Sequence, residues 1–228
     1  NKILHKVQSK EEATLDEIIT GRGVYRLSTV ALEENPEIES LQSAGHKTDI
    51  GSGALRILKD VVLFSEKPKD SQEYVQIIGI ESGKRGYYWI DRRYVAPPPN
   101  FENYKIIVPK ANGSGAIGEI LSTPLIGEPL IGYTETFIGI GSFDTKEEAE
   151  AALKYVKTKF ARTMLGILKI TQDNPRGKWA KVPIQDFAPE SDIDWSKSVS
   201  EIDKQLYAKY ELDEDEINFI ESKVRAME

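Results

Sequence analysis

Between Asp60 and Phe143 the apolar residues fall in short runs of roughly period two, and from Asp144 onward the period lengthens to that of a helix. "VVLF", "YVQIIGI" and "GYYWIDRRYV" are rich in β-branched and aromatic residues, which predicts strands. "ESGKRG", with Gly83 and Gly86, lies between the last two and predicts a hairpin turn. "APPPN" at 96–100 predicts a rigid connector. "YKIIVPKANGSGAIGEIL" then predicts a strand that runs into a glycine-rich loop, and "EPLIGYTETFIGIGSF" predicts more strand with partial alternation.

The segment "DTKEEAEAALKYVKTKFARTMLGILKITQ" predicts one long amphipathic helix, capped by Asp144 or Thr145 and carrying acids in its first turn. Ala149, Leu153, Val156, Phe160, Met164 and Ile167 recur at three- and four-residue steps and mark its buried face. "DNPRGKW" ends it, and "WAKVPIQDF" predicts one further strand. Two capped segments, "SVSEIDKQLYAKY" and "DEDEINFIESKVRAM", predict a C-terminal helical hairpin. At the other end "SKEEATLDEIIT" predicts a short helix, with Ser9 and Glu12 as its capping box and Gly21 as its stop. The expected fold is α+β: a twisted, mainly antiparallel sheet packed by the long helix and followed by the hairpin. The expected divisions are a mixed segment at 1–59, the α+β body at 60–187 and the acidic hairpin at 188–228.

Composition narrows the chemistry. The chain has no cysteine, which excludes disulfides and thiolate metal sites and fits a reducing cytoplasm. Its two histidines, His5 and His46, leave little for a histidine-based site. No apolar run approaches the roughly 20 residues of a membrane span. The chain begins at Asn1, which suggests a piece of a longer polypeptide. The net charge of −7 is concentrated at one end, since residues 180–228 hold 13 acids and 6 bases. The remaining 179 residues hold 24 of each, so their basic clusters count for more than the overall acidity suggests.

Four of those clusters suit a nucleic acid. "GKRGYYWIDRRY" places Lys84, Arg85, Arg92 and Arg93 around a hairpin with Tyr87, Tyr88 and Trp89 between them. Cations beside aromatics suit phosphates and bases, and a hairpin fits the DNA major groove; aromatics turned to the core are an equally consistent reading. On the long helix, Lys154, Lys157, Lys159, Arg162 and Lys169 project opposite the apolar face, with no acid between Ala151 and Gln172. Bases favoured by the helix dipole explain part of that stretch. "TQDNPRGKW" follows, with Gln172, Asn174, Arg176 and Lys178, residue types able to meet base edges. "PKANGSGAIGE" adds Lys110, Asn112 and Ser114 in a loop whose backbone N–H groups can turn to a phosphate. It lacks the G-K-[S/T] ending of a nucleotide P-loop.

Catalytic patterns are weaker. "TFIGIGSF" spells the F-x-G-x-G of a methyltransferase cofactor turn, yet no βαβ series precedes it, and no [D/N/S]-P-P-aromatic tetrapeptide accompanies it. A glycine-punctuated strand is the better reading. Asp144-Thr-Lys146 and Glu221-Ser-Lys223 match the acid-x-Lys spacing of nucleases, but helix capping and exposure account for both.

"YKIIVPKANGSGAIGE", "PLIGYTETFIGIGSF", "EEAEAALKYVKTKFARTMLGILKITQDN", "WAKVPIQDF" and "DIDWSKSVSEIDKQLYAKYELDEDEINFIE" together resemble the C-terminal part of large bacterial Type II restriction–modification adenine-specific DNA methyltransferases, some fused to a restriction endonuclease. The resemblance runs from about Tyr74 to the end. It implies a target-recognition domain that reads duplex DNA so that an adenine can be flipped into a catalytic pocket. It also implies that this piece is not itself catalytic. S-adenosylmethionine would be held by an N-terminal catalytic domain absent from the chain, in a bacterial cytoplasm. A protein-interaction module of a restriction–modification complex, without base readout, is the alternative.

Overall fold

The computed structural model describes residues 2–21, 23–111 and 116–227. In chain order its elements are α1 (Lys2–Gln8), β1 (Ile19–Thr20), β2 (Arg26–Leu27), α2 (Thr29–Glu34), α3 (Ile38–Leu41), α4 (Ala54–Ile57), β3 (Tyr74–Glu81), β4 (Lys84–Asp91), β5 (Val95–Ala96), β6 (Tyr104–Pro109), β7 (Leu125–Gly127), β8 (Ile131–Tyr133), β9 (Phe137–Phe143), α5 (Lys146–Lys157), α6 (Lys159–Gly166), α7 (Val199–Lys209) and α8 (Glu214–Lys223). The fold is α+β. An antiparallel sheet has the order β1-β9-β6-β7, and a second sheet has the order β4-β3-β8. The hairpin β3–β4 turns at Ser82-Gly83, both with positive φ, as a tight two-residue connection requires. β8 joins β3 in parallel.

The central strands β6 and β9 are buried on both faces, and alternation sorts their side chains between two cores. Ile106, Val108, Ile138 and Ile140 join the core built with α5, α6 and the tail helices. Ile107 and Phe137 join the other, formed with β3, β4 and the helical turns of the N-terminal third. "FIGIGSF" is therefore a strand. A Cβ at Gly139 would lie 2.5 Å from the Tyr133 hydroxyl, so only glycine permits that approach. The boundary expected at residue 59 does not follow these cores, because Val7, Leu15 and Ile19 belong to the first and Tyr25 to Leu58 to the second.

Four local expectations change. The N-terminal helix lies earlier, at Lys2–Gln8, and the capping box uses Thr14 and Glu17 around a single 3-10 turn. "VVLF" makes only isolated bridges, Leu63 to Lys59 and Phe64 to Trp89 on the outer edge of β4. "WAKVPIQDF" forms no strand: Trp179 closes a 3-10 turn, Ala180 and Lys181 turn, and the rest passes the 13–15 stretch with two backbone bonds, Leu15 N–H to the Val182 carbonyl and Ile184 N–H to the Ala13 carbonyl. The long helix is two. Thr158 leaves helical geometry (ψ 150°), its hydroxyl donates to the Tyr155 carbonyl and accepts from the Ala161 N–H, and α6 starts afresh behind it.

That break resets the angular phase of every residue after it. Arg162, expected on a solvated basic face, is 2% exposed. Its guanidinium donates to the carbonyls of Lys157, Thr158, Gly118, Glu119 and Arg225. Burial lowers its pKa to about 10, still charged at neutral pH. Asp203 of α7, 3% exposed, reaches the opposite end of the junction and accepts from the N–H groups of Lys159 and Phe160. Those bonds favour its anion, but burial dominates and raises its pKa to about 6. Lys105 on β6 is also buried, and its ammonium donates to the carbonyls of Phe101, Asn103 and Glu128. Burial lowers its pKa to about 8.

Arg162→Met removes a donor shared by three segments, and urea unfolding should show a loss on the order of 3 kcal/mol. Arg162→Lys should recover only part, since an ammonium cannot span the same carbonyls. Asp203 carries a folded pKa above its unfolded one, so its contribution is complete below about pH 4 and is lost as pH rises through about 6. Relative to Asp203→Asn, the natural chain should therefore weaken by on the order of 2–3 kcal/mol between those pH values. A constant difference across that window in pH-resolved unfolding would remove Asp203 from the account.

Candidate nucleic-acid interface

The sequence-predicted cations divide into those the fold uses internally and those it leaves at the surface. Arg162 and Lys169 belong to the first group. Lys169 is 3% exposed and paired with Glu119 at 3.1 Å. Lys154 is half-buried, and its ammonium donates to the carbonyls of Trp195 and Lys197, fixing the approach to α7. The expected basic face of the helix is thus a set of fasteners, because α7 and the 116–121 segment cover it.

The hairpin cluster is also divided. Lys84 and Asp91 are the two ends of β4, roughly 23 Å apart at ~3.3 Å per residue. Arg92 and Arg93, in the 3-10 turn beyond Asp91, are therefore far from Lys84 and Arg85. Arg92 bonds Glu73 at 2.8 Å and Glu102 at 2.7 Å. Arg93 bonds Asp91 at 2.7 Å and Glu34 at 3.1 Å, and the hydrogen bonds it donates to both carboxylates raise its pKa. These two arginines hold the hairpin's base to α2 and to the turn before β6. Tyr88 and Trp89 are covered by packing, while Tyr87 stays 43% exposed.

The remaining candidates converge on one end of the central sheet. Pro109 of β6 pairs with Phe137 of β9, and the Lys110 N–H bonds the Thr136 carbonyl just beyond that pair. Arg85 crosses from the hairpin tip to this end, its guanidinium 5.7 Å from the Phe137 ring and bonded to the Ser122 carbonyl at 3.1 Å. From the other side, the Asn174 N–H bonds the Lys110 carbonyl at 2.6 Å, and Ala111 and Asp173 form a bridge. Lys84, Arg85, Lys110, Arg176 and Lys178 thereby come from three distant stretches of chain. Gln172 and Arg176 are exposed there, and Lys110 and Lys178 half-buried. Asn112 and Ser114 lie outside the described residues.

A cleft of about 290 Å³ opens on this end, lined by Gly21, Lys110, Ile138, Asp173, Pro175 and Arg176. Arg176 also donates through Nε to the Asp16 carbonyl, which ties the 172–178 loop to the N-terminal stretch. Sequence reasoning missed Gly21 and Asp173; Gly21 reads as a helix stop, and nothing local signals that β1 brings it beside β9. Asn174 is wholly buried, with neither amide atom hydrogen-bonded. Such an amide costs roughly 1–3 kcal/mol, so its presence calls for an explanation.

A larger cavity of about 690 Å³ lies between α5 and the start of α7, edged by Lys154, Lys157, Lys159 and Lys197. It shares no residue with the cleft. Lys154 is spent on carbonyls, and Lys159 is paired with Glu221. Among the described residues no group of three or more His, Asp or Glu is placed to hold a metal ion, and no helix is long and apolar enough to cross a membrane.

Because Arg92 and Arg93 act as fasteners, Arg92→Ala/Arg93→Ala should lower the melting temperature and leave affinity for duplex DNA unchanged. Arg93 is the partner that neutralises the buried Asp91, so most of the loss should follow Arg93. A fluorescence titration in which the double variant loses duplex affinity at unchanged fold would place these arginines at the interface instead.

No family model matches the chain, and no curated protein matches it. The chemistry of this face therefore carries the functional reading.

Proposed function

We propose that this chain holds and reads duplex DNA, as the target-recognition module of an adenine-specific DNA methyltransferase or of a restriction–modification enzyme that contains one. The observation that carries the DNA reading is that Arg85, Lys110 and Arg176, from three stretches of chain, stand at one end of the central sheet, with Lys84 and Lys178 one and two residues along from them. Cations from three stretches suit successive phosphates along a backbone, and the Tyr87 ring and the cleft beside them suit a groove edge. The resemblance of the sequence from about Tyr74 to the end supplies the enzyme context. In that context S-adenosylmethionine and the methyl transfer belong to the catalytic domain of the same polypeptide, and this module positions the DNA for base flipping.

A second reading has one observation in its favour. Between α7 and α8 runs a largely apolar groove lined by Tyr207, Ala208, Leu212 and Ile217, and Phe219 on α8 is 44% exposed. A partner protein docked there would make the chain an assembly module.

A fluorescent mixed-sequence duplex at low salt should bind the natural chain. Lys110→Ala/Arg176→Ala should weaken that binding and flatten the plot of log affinity against log salt by about 0.9 for each phosphate no longer neutralised. Calorimetry on the same preparation should show no heat with S-adenosylmethionine. Cofactor binding without DNA binding would overturn the reading, whereas retention of a partner protein that is lost on Phe219→Ala would favour the second.

A further inference from the structure

The proposed DNA face contains one side chain whose chemistry its own fold does not use. Three residues have buried polar atoms without a hydrogen bond among the described residues: Asn174, Trp179 and Glu216. Trp179 lacks a partner only at its indole N–H, within the apolar core. Glu216 lacks one at a single carboxylate oxygen, while the other meets Lys6 at 2.7 Å. Asn174 differs in kind, because both its donor and its acceptor are unbonded. Its neighbours in the chain, Asp173 and Pro175, line the cleft, and its own N–H bonds the carbonyl of Lys110, which lines it too.

We infer that Asn174 is the base-reading group of this face, kept unbonded in the free protein for the donor–acceptor edge of an adenine in the major groove. This rests on the DNA reading above. A side-chain amide presents one donor and one acceptor in a plane, and adenine's N6 and N7 present the complementary pair. Guanine offers two acceptors in the same groove, and cytosine a donor without the paired acceptor. An asparagine committed to internal hydrogen bonds would have to break them before pairing with a base; Asn174 has none to break. The amide is covered in the free chain, so pairing with a base requires the 173–176 stretch to shift. Outside any helix, 172–175 is held by the Asn174 N–H on the Lys110 carbonyl and by the Ala111–Asp173 bridge, and Arg176 is tied to Asp16 by one exposed hydrogen bond; these are the contacts such a shift has to break. A phosphate drawn to Arg176 competes for that tie.

The inference makes stability and selectivity move in opposite directions. Asn174→Leu removes both unbonded atoms while keeping the side chain's branched shape. The test is selection from a duplex pool with ten randomised base pairs at low salt, followed by sequencing, with melting temperatures measured alongside. The natural chain should enrich adenine at one position by about ten- to a hundred-fold. Asn174→Leu should lose that enrichment, keep its affinity for the unselected pool and melt higher. Asn174→Asp, which keeps the shape and replaces the donor by an acceptor, should move the preference at that position towards cytosine. It also serves if the leucine variant does not fold. Enrichment unchanged in either variant overturns the inference, as does a pool that is bound without any enriched position; both outcomes leave DNA binding itself intact. A natural chain that retains no duplex at low salt overturns the inference and the DNA reading together.

Discussion

The guanidinium of Arg162 is the fastening on which the placement of the other parts depends. A helix interrupted at Thr158 exposes carbonyls at the end of α5 and N–H groups at the start of α6, and neither can be left dry in an interior. Arg162 takes the carbonyls of Lys157 and Thr158, and Asp203 takes the N–H groups of Lys159 and Phe160. With its remaining donors Arg162 holds Gly118, Glu119 and Arg225. One buried cation thus sets the position of the 116–122 segment, and that segment receives Arg85 at the Ser122 carbonyl. The candidate DNA face is, in this sense, supported from inside the core.

The same economy explains why counting basic residues misleads here. A buried cation must be solvated by the protein, and main-chain carbonyls are the commonest acceptors within reach. Arg162, Lys105 and Lys154 each follow that rule. Arg92 and Arg93 follow its surface version, binding carboxylates of α2, of the residue before β3 and of the turn before β6. Of the cations that the basic segments single out, Lys110 and Arg176 line the cleft where β6 ends and β9 begins, and Arg85 reaches the Phe137 ring at that same end.

Much of the architecture was legible because it follows from local chemistry. The hairpin β3–β4, the strand "FIGIGSF" and the capped helices α5, α7 and α8 all announce themselves in period, turn and cap residues. The failures share a cause: they needed a partner distant in sequence. Period alone could not show the break at Thr158, since "KYVKTKF" continues the apolar spacing and the competing cap is a single hydroxyl. Nor could it show that Arg162 turns inward, because the carbonyls that solvate it come from residues 118, 119 and 225. "WAKVPIQDF" has the composition of a strand and lacks only a neighbour able to continue the ladder. For the site, the basic segments were visible, but their convergence was not: Lys110 and Asp173 meet through β9 and the 172–178 loop, 63 residues apart in the chain.

The acidic tail, finally, does not contradict an anionic partner. Part of its charge is met locally: Lys6 lies 2.7 Å from Glu216, Lys10 lies 2.7 Å from Glu211, and Lys209 lies 3.1 Å from Asp192. Most of these pairs are exposed and worth little to stability, yet they place positive charge within hydrogen-bonding distance of the tail's negative charge. Beyond about 8 Å in physiological salt such neutralised pairs exert almost no field. The net charge of −7 thus says less about any one face than its size suggests. Among the described residues, the cleft where β6 ends and β9 begins is lined by two cations, Lys110 and Arg176, and one carboxylate, Asp173. An acidic protein can hold DNA on these terms, provided its acids are paired where they stand and its surface cations share one end of a rigid sheet.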